Sequence, residues 1–152
     1  MKKSHHSFRV LPTSGPVDQS VMDAVNLAIG YGLIDLGISE HLFVSFVDAP
    51  CLQFGEDFAF AAYNRGEFHV IVAAQYDESI EESYQHWLTE LAVSAIHEVV
   101  HFKQDIEGRL YVEDEDADER EADFIARQVV EKMIESGVWK DPEVQDGTDD
   151  IE

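Results

Sequence analysis

A chain of 152 residues, 45% of them hydrophobic, is long enough for one domain with its own core and too short for two. Its 10 basic and 32 acidic residues give a formal net charge of −22. That balance excludes direct binding to nucleic-acid phosphates or to an anionic membrane surface, both of which call for basic patches.

Solubility or life in high salt accounts for so acidic a surface. A sharper alternative is an acidic interaction module that imitates the charge of nucleic acid and binds a basic protein partner. Cys51 is the single cysteine, so no intrachain disulfide forms. It reads as a small buried apolar side chain. No apolar run approaches ~18 residues, so no transmembrane helix and no membrane partner are expected. Lys2 and Lys3 are followed by Ser4-His5-His6-Ser7, where a signal peptide needs an apolar run. The expected location is cytoplasmic.

Residues 1–15 read as a polar lead-in that closes on the turn-rich Pro12-Thr13-Ser14-Gly15, with Pro16 next. From Val17 to about Leu36, apolar residues recur at three- and four-residue steps, which predicts a first helix stopped by Gly37. Gly30 and Gly32 weaken its middle and suggest a bend or a close helix contact there. Three runs of strand character follow, at 41–47, 58–63 and 68–74. Asn64-Arg65-Gly66-Glu67 joins the last two as a β-hairpin. The third run is apolar at both parities, which predicts cover on both faces.

A second helix is expected from about 78–82 to Asp105, with Ser79 and Glu82 as a capping box and Gly108 beyond its end. Eight of the eleven residues at 113–123 are acidic. The run from Glu113 to Asp118 lacks the pattern of a calcium-binding EF-hand loop and reads as solvated loop. A third helix is expected from about Asp118 to Ser136, stopped by Gly137. Residues 139–152 read as an acidic disordered tail, which leaves 16–138 as the folded domain. The fold class expected is α+β: an N-terminal helix, a small three-stranded sheet and two further helices.

The chemistry lies in the second helix, which carries His97-Glu98-Val99-Val100-His101, an H-E-x-x-H. Residues four apart share a helix face, so both imidazoles point into one space and can hold one Zn²⁺. Glu98 lies about 100° round the helix, placed to take a proton from a water that the metal polarises. On the wheel the polar residues His86, Glu90, Ser94, Gln104 and Asp105 gather near the histidines, and most of the circumference is apolar. Such a helix belongs inside a domain. Its single polar stripe then needs partners, because an unpaired buried polar group costs roughly 1–3 kcal/mol.

Two ligands are one short of the three that catalytic zinc sites use. The H-E-x-x-H, followed by Glu119-Arg120-Glu121-Ala122-Asp123, resembles the gluzincin metallopeptidases. The short length and the order of elements look most like the minigluzincins and the metallopeptidase core of the M48 and ImmA/IrrE groups. The motif covers residues 97–123, and the order of elements extends the likeness to about 17–137.

This resemblance implies a zincin-like fold, one zinc ion, hydrolysis of peptide bonds in a peptide or protein substrate, and a third ligand from a glutamate on the following helix. On the helical wheel Glu119 faces the interior with Ala122, Ala126, Val130 and Met133, whereas Glu121 faces solvent. The expected ligands are therefore His97, His101 and Glu119. Asp123, one turn on, is expected to accept from the free N–H of a ligating histidine. Glu107, six residues after His101, is the competing third ligand, at the spacing metzincins use. Tyr76, Tyr84, Tyr111 and His86 are the candidate oxyanion donors, and the strand at 68–74 is the expected edge for an extended peptide. His5, His6, His41 and His69 show no ligand spacing.

Overall fold

A computed structural model of the protein describes residues 7–13 and 15–143. It shows an α+β fold of three helices, a mixed four-stranded sheet and a separate two-stranded hairpin. The main sheet runs in the order β1 (Ser7–Val10), β2 (His41–Val47), β6 (His69–Ala73), β5 (Ala61–Asn64). Its first three strands are parallel, and β5 is antiparallel at the edge. Between β2 and β5 the chain makes the hairpin β3 (Leu52–Phe54) and β4 (Asp57–Ala59). The helices are α1 (Gln19–Asp35), α2 (Tyr84–Ile106) and α3 (Glu115–Glu135).

Residues 7–10, read from sequence as polar lead-in, make an edge strand of the sheet. In that short strand Phe8 alone packs against the core, too little apolar pattern to betray it. The run at 58–63 is two strands. Ala59 pairs with Leu52 and Ala61 with Val72, so the chain changes partner at Phe60. In β2 the alternation is plain: Leu42, Val44 and Phe46 are buried against the helices, and Phe43, Ser45 and Val47 are half-buried on the other face. β6 lies between β2 and β5, which corrects its expected place at the edge. The free edge beside α2 belongs to β5.

α2 runs through the centre of the molecule. Trp87, Leu91, Ala92, Ala95, Ile96, Val99 and Phe102 are buried in one core with Val25, Ile29 and Leu33 of α1 and Ala126, Val129 and Met133 of α3. α1 is continuous, and its Gly32 approaches Ile96 of α2. The α2 N-cap is Ser83, whose Oγ accepts from the His86 N–H at 3.2 Å. The expected cap Ser79 instead bonds Asp77 through both its N–H and its hydroxyl. Asp77 offers those donors a competing turn, and so delays the helix.

α3 begins earlier than its pattern suggests, capped by Asp114, with Glu115, Asp116 and Asp118 in its first turn. The acidic run is thus the start of a helix, where negative charge meets the positive end of the helix dipole. All three helices run out into a glycine with positive φ, Gly37, Gly108 and Gly137, where the sequence placed their ends.

The packed unit reaches beyond residue 138. Trp139 is buried and donates from Nε1 to Thr89 Oγ1 at 3.0 Å. The rest of the acidic tail, from 144 on, lies outside the described residues, as do His5 and His6. Among the described residues no helix is long and apolar enough to cross a membrane.

Candidate metal centre

One face of α2 presents His97 and His101 to Glu119 of α3. His97 Nε2 donates to Glu119 Oε1 at 2.9 Å, and His101 Nε2 lies 3.1 Å from Glu119 Oε2 and 3.1 Å from His97 Nε2. One ligand atom from each of the three residues falls within 4.8 Å of the others, a group that could hold a metal ion. The wheel's inward assignment of Glu119 holds. Glu107, the competing ligand, ion-pairs with Lys103 and Arg109.

The donor chemistry fits a cation. His101 Nδ1 lies 2.7 Å from the Oε1 of Gln104, which only accepts, so that ring nitrogen carries the hydrogen. The Nε2 of neutral His101 is then a bare lone pair facing the cluster. Burial, and then the neighbouring His101, hold the His97 imidazole below its usual range, which favours the neutral form that ligates metal. Burial pushes the Glu119 carboxyl up, but the Tyr111 hydroxyl and the two histidines outweigh it, and the net direction is down. Two imidazoles and an ionised carboxylate gathered at one point are a set that zinc and similar ions accept once the hydrogen on His97 Nε2 has given way to the ion.

Glu98 stands beside the cluster on the same helix. Burial, with Glu119 adding to it, pushes its carboxyl up to about 8. A divalent cation at the cluster would pull that value back down. Glu98, His97 and Glu119 line a cleft of about 800 Å³. Phe58, Ala59 and Phe60 of the hairpin region, Ala61 of β5, and Ile80 and Val93 give the cleft an apolar wall. Cys51 also lines it and is half-buried, where sequence pointed to a core position.

Asp123 is at the cleft but does not back a histidine. It is exposed and ion-pairs with Arg127, one turn on, at 3.5 Å. Gln104 of α2 takes that role for His101. It is fully buried, and its Nε2 donates to Glu121 Oε1 at 2.7 Å and to the Asp118 carbonyl at 3.2 Å. A polar residue on the ligand stripe three positions after His101 was the available signal. Glu121, which the wheel turned to solvent, faces Gln104 and accepts from Arg109 as well, at 2.9 Å.

Of the four candidate oxyanion donors, Tyr111 reaches the cluster. Its hydroxyl donates to Glu119 Oε2 at 2.5 Å and lies 3.5 Å from His101 Nε2. Its backbone has a φ of 58°, held by an N–H bond to Asp118 Oδ2 at 2.6 Å. Tyr76 caps the Glu81 and Glu82 carbonyls and stacks with Tyr84 and Trp87, and His86 pairs with Glu143. His69 bonds Ser45 on the outer face of the sheet, and His41 packs edge-on against Phe43. At the far end of α2, Asp105 accepts from the Tyr63 hydroxyl and the Gly66 N–H, both at 2.7 Å, and fastens the β5–β6 hairpin to the helix. No family model and no curated protein matches this chain.

Proposed function

We propose that this protein is a zinc-dependent peptidase with a zincin-like arrangement, in which His97, His101 and Glu119 hold one Zn²⁺ and Glu98 is the general base. The observation that carries the reading is the convergence of two imidazoles and a carboxylate, with the half-buried Glu98 beside them, at the head of an open cleft. A three-residue ligand set leaves a coordination position for chemistry, where structural zinc sites close all four. When bound, the ion supplies Lewis acidity, polarising a scissile carbonyl and acidifying water.

The chain's own residues supply the rest. Glu98 takes the proton of the attacking water and returns it to the leaving amine. The wall of Phe58, Ile80 and Val93 offers apolar surface that an apolar substrate side chain would cover. Tyr111 is the hydroxyl donor closest to the ligands and is assigned to the developing oxyanion. β5 is the outer strand of the sheet on this side, along which an extended peptide can add as a further strand. That edge replaces the strand at 68–74, whose two sides are both paired.

Metal analysis of the purified protein followed by cleavage of an unstructured protein such as casein tests the reading. Wild type is expected to carry about one zinc per chain and to cleave. Glu98→Gln is expected to keep the metal and lose roughly 10²–10⁴-fold in rate. Absence of bound metal sinks the site. Wild type and variant equally inert with metal in place would favour an acidic interaction module over a peptidase.

A further inference from the structure

The geometry points to Glu121 and Arg109 as positioning residues that set which nitrogen of His101 carries its hydrogen, acting through Gln104 from outside the ligand cluster. The inference rests on the metal-centre reading above. It begins from a choice that a buried glutamine faces. A carboxamide has an oxygen that only accepts and a nitrogen that only donates, similar in shape, so its surroundings decide which way round it sits.

Gln104 is fully buried and has two neighbours to satisfy, His101 on one side and α3 on the other. On the α3 side stand the Glu121 carboxylate and the Asp118 carbonyl, both acceptors, at 2.7 and 3.2 Å from Nε2. The amide nitrogen must face them. Its oxygen is thereby turned to His101 Nδ1 at 2.7 Å, and the ring must donate there. Reversing the amide would set its oxygen against the Glu121 carboxylate inside the protein, where an unpaired buried polar group is costly.

Glu121 is held in turn. Arg109 donates to the same Oε1 at 2.9 Å, and its Nε donates to Glu107 at 2.7 Å, with Lys103 on the other Glu107 oxygen. The chain of bonds therefore runs from the half-exposed Arg109 to the buried His101, and every donor in it faces acceptors only. Its effect at the cluster is to leave His101 Nε2 as a lone pair before any metal arrives. Partners of this kind typically carry 10–100-fold in metal affinity.

The test uses the full chain, with zinc affinity read by competition against a chromophoric chelator. Ring-nitrogen NMR of chelator-treated protein at pH 8 reports the His101 tautomer directly. Glu121→Ala and Arg109→Met are chosen because both side chains are about two-fifths exposed, so folding tolerates their loss better than that of Gln104. Glu121→Ala is expected to bind zinc 10–100-fold more weakly and to show a mixture of His101 tautomers, with a smaller effect in the same direction for Arg109→Met.

Glu121→Gln should recover most of the wild-type behaviour, because Gln104 and Arg109 both use the single oxygen Oε1, which an amide retains. Affinities within twofold of wild type overturn the inference. So does a loss of affinity with the tautomer unchanged, since packing alone would then explain it. If wild type binds no zinc the metal reading falls, and the tautomer measurement still decides whether Glu121 sets the hydrogen on His101.

Discussion

His97 and His101 are the same residue one turn apart on one helix, yet their surroundings share little. The His101 side chain is 3% exposed and backed by Gln104, Glu121 and Arg109. The His97 side chain is 19% exposed and opens on the cleft with its apolar wall. One side of the cluster is closed by hydrogen bonds, and the other is left to whatever enters. The contrast teaches that α2 is asymmetric about its stripe of candidate ligands: the C-terminal side is anchored and the N-terminal side is open.

That asymmetry can be broken most strongly at Glu98, on the receiving side. In chelator-treated protein the folded carboxyl titrates near 8, because of burial and then of Glu119, while the unfolded one titrates near its ordinary 4.5. Between those values the unfolded chain binds fewer protons than the folded chain, so stability falls as pH rises. The full contribution is present below about 4.5 and is lost by about 8, a change on the order of 5 kcal/mol. Urea unfolding across that range should therefore show a steep profile for wild type and a flatter one for Glu98→Gln. Parallel profiles would mean that Glu98 is as well solvated as a surface carboxylate.

On the anchoring side, Asp105→Ala removes the acceptor of Tyr63 and of the Gly66 N–H. A loss of about 1–3 kcal/mol in unfolding free energy is expected, with zinc affinity unchanged. A large fall in zinc affinity would show that the hairpin clamp and the ligands are one unit. The smallest stability effect belongs to Phe58→Ala, at a side chain 64% exposed on the cleft wall. Stability should stay within ~0.5 kcal/mol. KM for peptides with a large apolar residue should rise by roughly tenfold, and for peptides with small residues hardly at all. Equal effects on both peptides would remove Phe58 from substrate contact.

Much of this organisation is legible in the residues. The buried circumference of α2, the inward Glu119 and the three glycine-ended helices all follow from a 3.6-residue period and from the φ that glycine tolerates. What escaped has physical reasons. β1 has one core-facing aromatic and β3 buries little, so neither carries a period-2 signal. Ser79 and Ser83 are equally good caps on paper, and Asp77 decides between them by claiming Ser79. Asp123 is one turn from Glu119 and was expected behind a histidine, but Arg127, one turn further, takes its charge. Gln104 and Glu121 meet only because α3 crosses α2, and a wheel drawn for one helix cannot show a partner that comes from another.

The Asp105 clamp has a consequence for how the molecule comes together. β5, β6, α2 and the start of α3 follow one another along residues 61–121, and each joins a neighbour close by in the chain. The hairpin's tie to Asp105 and the meeting of His97 with Glu119 span 42 and 22 residues at most. Closing loops of that size costs little chain entropy. Contacts of short sequence separation also favour rapid folding. The ligand cluster therefore belongs to the part of the chain that can assemble first. The packing of α1 on α2, which brings Gly32 to Ile96 from much further apart in the chain, is left for later.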